Sequence, residues 1–350
     1  MTTAYSGDGI TFPDSTVQAT APKVGMVNRV INGGMVFDQR NAGAVTQAIT
    51  YTLDRFRYFA TQAGKISVQQ VTDAPSGFSH SVKLTVISSY NLSGTEQFFF
   101  GTTFEANNLV DFAFGTSGAK ATALSFWVKS SITGKYSISW VNSANNYSFI
   151  ETYLINTADT WEYKTISIPA ATGGVWGTGN NRHSFIQFML GNSGTFDGTA
   201  GTWQPANIRG TSDSVDFVSQ SNGATFYVTG VQLEKGSVAT DFEYVDYGRQ
   251  LQMCQRYFQI YGGQPGGGPN FQGYGVGDMN SVYPFTTEMR VIPTSATSGN
   301  FQKSNSGDPV GVHTTTTATS IRVAVPSLGK FEAYPSSGSP YGKITFSAEL

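Results

Sequence analysis

Between about Met26 and Val245 the chain is built from short runs in which apolar residues occupy every second position. Val82, Leu84 and Val86 share one face of SVKLTVISS, and Leu124, Phe126 and Val128 share one face of TALSFWVKSS. Tyr136, Ile138 and Trp140 repeat the period, as do Ile186, Phe188 and Leu190. Successive side chains of a strand point to opposite faces, so each run has one dry and one wet side. Clusters of Gly, Ser, Asn and Thr separate the runs, and no helical patterns alternate with them. This combination predicts an antiparallel sandwich or jelly roll rather than a parallel sheet with helical crossovers. The run TFYVTGVQLE closes the series and is expected to place Tyr227, Val231 and Leu233 on one side.

The text changes once, in GVQLEKGSVATDFEYVDYGRQLQMCQRYF. Asp246 reads as an N-cap, and Tyr247, Leu251, Cys254 and Phe258 follow in steps of four, three and four, which mark one face of a helix. A single amphipathic helix at the exit of a sandwich must cover something: the sandwich, the last domain or another copy of the chain. Beyond it, RYFQIY, VYPFTTEMRVIP, TSIRVAVP and YGKITFSAEL return to β character, separated by GGQPGGGPN and SGSPYG, whose Gly and Pro content bars regular structure. Residues 1–25 alternate turn formers with isolated apolar residues and cannot enclose a core. The expected organisation is therefore an extended docking arm at 1–25, a sandwich at 26–245, and a linking helix with a smaller β domain at 246–350.

Charged residues are only 13% of the 350, against about 25% in an ordinary soluble protein, so the surface must be made largely of hydroxyls and amides. A net charge of −2 gives no general reason to bind nucleic acid, whose affinity is chiefly phosphate neutralisation. The opening MTTAYSGDGITFPDSTVQAT lacks the basic and apolar regions of a secretory signal, and no apolar run is long enough to cross a bilayer. The expectation is synthesis and folding in a cytoplasm with no membrane insertion. Cys254 is the only cysteine, which rules out an intramolecular disulfide framework and reads as a packed apolar residue.

The order of GITFPDSTVQAT, NRVINGGMVFDQR, LSFWVKSS, TWEYKTISIP, the QLE…CQRYFQ joint, TTEMRVIPT and the closing SAEL resembles bacteriophage tail-fibre and related virion-surface proteins. These carry a carbohydrate-binding-module-like jelly roll followed by a short C-terminal β domain. The resemblance implies a structural virion protein, a homotrimer, attached to other virion proteins through its N-terminal arm and presented to a host-surface glycan or receptor. A decorating protein of capsid or collar without glycan binding is the alternative, and a polysaccharide-degrading tail spike is the third reading. The resemblance also leaves room for a structural calcium between the first and last strands, for which Asn32, Asp38 and Glu234 are the oxygen donors nearest those ends.

Catalytic patterns are missing. His80, His183 and His313 have no metal-ligand spacing, no nucleophile elbow occurs, and the Gly-rich loop lacks the Lys-Ser/Thr pair of a phosphate cradle. Glu96, Glu105, Glu151 and Glu162 are carboxylates whose mutual distances a sequence does not give. No catalytic residue is assigned, and the expectation is a protein that is not an enzyme. A sugar site asks for an aromatic plate bordered by amides, carboxylates or a guanidinium. Two loops meet that requirement: Trp176 with Asn180, Asn181, Arg182 and His183, and Trp203 with Asp197, Gln204, Asn207 and Arg209. Each loop has three readings, namely glycan contact, a subunit interface, or cover for the domain's own flank. Trp127 is out of phase with Leu124, Phe126 and Val128 and should point away from their core, which marks it, with Tyr247, Leu251 and Phe258, as an interface candidate.

Overall fold

A computed structural model describes residues 4–6, 9–11, 17–18, 26–263, 271–335 and 341–350. Three short strands, β1 (Ala4–Ser6), β2 (Gly9–Thr11) and β3 (Val17–Gln18), pair antiparallel with one another. The rest of the expected arm, and its docking, lie outside the described residues.

Residues 26–245 form a two-sheet sandwich. The strands are β4 (Tyr51–Leu53), β5 (Phe56–Ala60), β6 (Ile66–Val71), β7 (Ser81–Val86), β8 (Gln97–Glu105), β9 (Thr122–Ser130), β10 (Gly134–Asn142), β11 (Ser148–Ile155), β12 (Glu162–Ile168), β13 (Arg182–Asn192), β14 (Trp203–Gln204) and β15 (Thr225–Lys235). One sheet runs β14-β11-β10-β13-β8-β5-β4 and the other β12-β9-β15-β7-β6, with antiparallel pairing throughout. The alternating residues read from the sequence form the shared core: Val82, Leu84, Phe126, Val128, Tyr136, Ile138, Trp140, Ile186 and Phe188 are all buried there. Phe126 meets Phe188 across the gap between sheets, with ring centres 5.0 Å apart and edge to face. Trp140, fully inside, gives its indole N–H to Ser184 Oγ at 2.8 Å, so its one polar atom is satisfied.

One expectation about strand phase is corrected. Val231 and Leu233 lie in the core, but Tyr227 does not; Phe226 and Val228 hold the inward positions before them. The register of β15 against β9 shifts between Thr229 and Gln232, at Gly230 with φ +61°. A bulge inserts one residue and swaps the faces beyond it, which strict alternation over GVQLE could not anticipate.

The helix α1 (Tyr247–Gln255) begins as expected, with Asp246 Oδ1 accepting the Arg249 N–H at 3.1 Å. It stops earlier than the apolar steps suggested, because Phe258 is already the first residue of a strand, β16 (Phe258–Gly262). Cys254 and Tyr257 are buried with Ile31 and Phe37, and Leu251, Met253 and Leu350 pack around them. What the helix covers is therefore the first segment of the sandwich region of its own chain.

The remaining strands are β17 (Phe271–Pro284), β18 (Thr294–Ser298), β19 (Phe301–Ser304), β20 (Val310–Thr314), β21 (Ala318–Pro335) and β22 (Lys343–Ser347). They make a sheet of order β16-β22-β18 and another of order β17-β21-β19 with β20 also on β21. Between them lies a second core that includes Phe271, Phe285, Met289, Ile321, Val323 and Phe346. Polar clasps join this part to the sandwich. Glu105, 1% exposed, accepts from Arg256 at 2.7 and 3.0 Å and from the Tyr257 hydroxyl at 2.6 Å. Glu349 pairs with Arg40 at 2.9 Å and with the buried Arg55, whose guanidinium lies 3.6 Å from the centre of the Tyr257 ring. Arg290 donates to the carbonyls of Asn180, Ala348 and Glu349. The closing SAEL is thus a clasp onto the first domain.

Candidate functional site

The pleat that builds the core also fixes what the outer face of the seven-stranded sheet presents. In β5, Phe56 and Tyr58 face inward, so Arg57 and Phe59 face out; in β8, Phe98 and Phe100 face inward, so Gln97, Phe99, Gly101 and Thr103 face out. In β13, Ile186 and Phe188 are in the core, which turns Phe185 and Gln187 outward. Register then lays these residues side by side: Phe59 opposite Phe99, Arg57 opposite Gly101, Gly101 opposite Gln187, and Thr103 opposite Phe185. Gly101 keeps the centre of this floor low, and a Cβ added there would lie 2.1 Å from the Ile186 carbonyl oxygen. Asn145, at the turn between β10 and β11, and Asn207 and Arg209, after β14, raise a wall on one side. The result is a groove of about 300 Å³, at the lower end of the ~300–1,000 Å³ typical of ligand sites.

Three guanidiniums line this groove, from Arg57, Arg182 and Arg209. Arg182 donates to the Ser143 carbonyl at 2.8 Å and stands 5.3 Å over the Phe185 ring, while Arg209 stands 5.2 Å over the same ring. Arg209, only 4% exposed, donates to Gln187 Oε1 at 3.2 Å and Asn145 Oδ1 at 3.1 Å. Among the described residues, no carboxylate lines the groove and none forms an ion pair with any of the three. Burial, and then the charge of Arg182, pull Arg209 down to about 10; burial also lowers Arg182, with Arg57 acting in the same direction. At that value Arg209 stays cationic at neutral pH. Arg57 Nε, Arg209 Nε and Asn207 Oδ1 are buried without a hydrogen-bond partner. Such atoms also occur away from the groove, at Arg29 Nε and Arg55 Nε among others.

Of the residues singled out in the sequence, the groove unites Arg182, Asn207 and Arg209. Trp176 and Trp203 stand elsewhere, and neither is an exposed plate. Both are half-buried in an aromatic cluster with Phe114, Trp140, Tyr147 and Phe149 at one end of the core. Trp203 stacks on Tyr147 at 5.5 Å and 5° and donates to the Pro169 carbonyl at 2.7 Å. His183 is buried against Trp176 at 4.9 Å, and burial lowers it to about 4. Asn180 binds the Arg290 carbonyl at 3.0 Å in the domain junction, and the Asn181 carbonyl accepts from the Ala106 N–H. Asp197 accepts from the Asn192 side chain, and Gln204 closes its own loop onto Thr199.

Trp127 does point away from the core. It lies half-buried 5.3 Å from Tyr163, in a cleft on the other sheet that Phe78, Phe242 and Tyr244 also line. Of the helix residues marked as interface candidates, Leu251 and Phe258 pack within the chain, whereas Tyr247 is 66% exposed beside Phe37. The oxygens of Asn32, Asp38 and Glu234 serve three separate sets of donors: Phe37 N–H, then Asn41 and Gly43 N–H, then Thr240 and Gln232. No group of three His, Cys, Asp or Glu fit for a metal occurs among the described residues. Glu96, Glu105 and Glu162 are likewise held by different partners, Tyr90, Arg256 and Lys164.

Sequence reasoning passed over Arg57, Phe59, Phe99, Phe185 and Gln187. The signal was available, since each is out of phase with the inward positions of its strand, the same argument that turned Trp127 outward.

No protein-family model and no curated protein matches the sequence. Solved structures similar in fold include the enzymatically active domain of bacteriophage CBA120 tailspike protein 4, at 15% identity over 60% of this chain and 21% of that one, TM-score 0.33. A putative sugar-binding protein from Bacteroides thetaiotaomicron is 10% identical over 59% of this chain and 99% of its own, TM-score 0.35. TmCBM61, solved with beta-1,4-galactotriose, is 12% identical over 59% and 98%, TM-score 0.30.

Proposed function

We propose that this chain is a virion-surface protein whose sandwich binds a host-surface glycan in the groove across β5, β8 and β13, without turning it over. The observation that carries the binding reading is the gathering of three guanidiniums, Arg57, Arg182 and Arg209, with the amides of Asn145, Gln187 and Asn207, around a hollow lined by Phe59, Phe99 and Phe185. A sugar presents C–H faces to aromatic rings and hydroxyls to amides and guanidiniums, so one ligand meets both demands. The absence of a carboxylate pair in the groove, among the described residues, supports binding over hydrolysis.

The virion assignment rests on the sequence resemblance described above, and with it the homotrimer and attachment through residues 1–25. The antiparallel pair of β17 and β21 leaves Tyr274, Val276, Val282 and Leu328 between 51% and 74% exposed, and a neighbouring copy would gain apolar burial by covering them. The test of the binding reading is an array of bacterial surface polysaccharides probed with the intact protein and with Phe59→Ala. Saturable binding weakened by the substitution supports the groove; saturable binding unaffected by it, or accumulation of reducing ends, overturns the reading.

A further inference from the structure

Resting on the reading of the groove as a glycan site, we infer that its ligand is an anionic sugar chain, one bearing carboxylate or phosphate groups, with Arg57, Arg182 and Arg209 as the residues that select the charge. The argument begins with an imbalance. The protein has 21 Lys and Arg against 23 Asp and Glu, so positive charge is not in surplus overall. Most buried or half-buried guanidiniums elsewhere in the sandwich and at the domain junction have acidic partners: Arg29 with Asp111, Arg40 with Asp54 and Glu349, Arg55 with Glu349, and Arg256 with Glu105; Arg290, the exception, gives its donors to three backbone carbonyls. Among the described residues the three in the groove have none, although Arg209 is 4% exposed. A buried cation without an anion is costly to keep, and removing one partner from such a pair leaves that cost standing.

What the three groups do have points the same way. The contacts of Arg182 and Arg209 are to neutral acceptors, Ser143 O, Gln187 Oε1 and Asn145 Oδ1, and to the face of Phe185. Asn145 and Gln187 orient the Arg209 guanidinium and do not discharge it. A guanidinium offers its donors in a fork that suits the two oxygens of a carboxylate or phosphate. Beyond the effect of burial, the charge of Arg182 lowers Arg209 and that of Arg57 lowers Arg182. An anion bound among them would relieve that repulsion.

The experiment uses bacterial polysaccharides immobilised in matched forms: native uronic-acid polymers and the same polymers after reduction of the carboxyl groups to hydroxymethyl, and native phosphodiester-linked polymers beside a neutral glucan. Binding of the intact protein is measured at low and physiological salt, with Arg57→Gln and Arg182→Gln, both half-exposed positions, as variants. The expected result is binding to at least one anionic class, weaker at higher salt, lost on carboxyl reduction if uronic acid is the ligand, and reduced about ten- to a hundredfold by each substitution, the range expected of a hydrogen bond to a charged group. Arg57→Lys should recover part of the loss, as a charge without the fork. Equal binding to native and reduced polymers, diminished by Phe59→Ala but not by the arginine variants, would overturn the anionic inference while leaving the groove intact. Binding indifferent to every groove substitution would overturn both.

Discussion

The rings of Phe59 and Phe99 stack with centres 4.9 Å apart and planes 16° from parallel, joining β5 to β8 on the face turned away from the core. A pair of this kind contributes about 0.5–1.5 kcal/mol beyond its buried area and offers a flat apolar surface. Phe59→Ala should change the melting temperature by only a few degrees, because the residue is half-exposed, and weaken glycan binding about tenfold. Thermal unfolding and titration calorimetry on the same preparation check the two halves of this expectation.

Trp203 should behave in the opposite way. Its ring touches Phe114, Trp140, Tyr147, Phe149 and Trp176, and its N–H is satisfied by the Pro169 carbonyl. Trp203→Ala should lower stability by about 3 kcal/mol, the order seen for large aromatic-to-alanine changes in cores, measured by urea unfolding. The folded fraction should keep its affinity for glycan, since the cluster lies apart from the groove.

His183 supplies a pH dependence of definite sign. Burial lowers its folded pKa from 6.5 to about 4. Between those values the unfolded chain binds a proton that the folded chain refuses, so stability is full above pH 6.5 and falls as pH drops toward 4. The gap corresponds to roughly 3 kcal/mol. His183→Gln keeps a polar partner for Ser184 and removes the titration, so its unfolding free energy should fall less than that of the unaltered protein between pH 7 and pH 4.5.

Glu349 holds Arg40 and the 2%-exposed Arg55 at once. Glu349→Ala strands Arg55 as a buried charge, which should cost about 3–5 kcal/mol. Limited proteolysis should then release the part beyond Asp246 faster than in the unaltered protein, because the clasp it loosens is the one between domains.

The fold was legible in particular residues and in their period. Leu124, Phe126 and Val128 on one strand, and Ile186, Phe188 and Leu190 on another, declared a two-layer core because a two-residue period has one physical cause. Asp246 declared the helix start through its capping geometry. The end of that helix was not legible, since Phe258 satisfies a helical step as well as the first position of a strand. The bulge at Gly230 was hidden for a related reason: one inserted residue leaves composition unchanged and reverses the faces. As to the groove, Arg182, Asn207 and Arg209 stood out in loop composition beside Trp176 and Trp203, which lie outside it. Indoles drew attention as the largest rings, yet their area is what draws Trp176 and Trp203 into packing, and the smaller Phe59, Phe99 and Phe185 are left outward by the pleat.

The most direct test of the groove as the binding site is a crystal structure of the protein soaked with an oligosaccharide cut from the polysaccharide it binds best. The account predicts sugar density over Phe185, within hydrogen-bond distance of Arg57, Arg209 and Asn207. Density instead in the Trp127 and Tyr244 cleft of the opposite sheet, with the groove filled only by solvent, would contradict it.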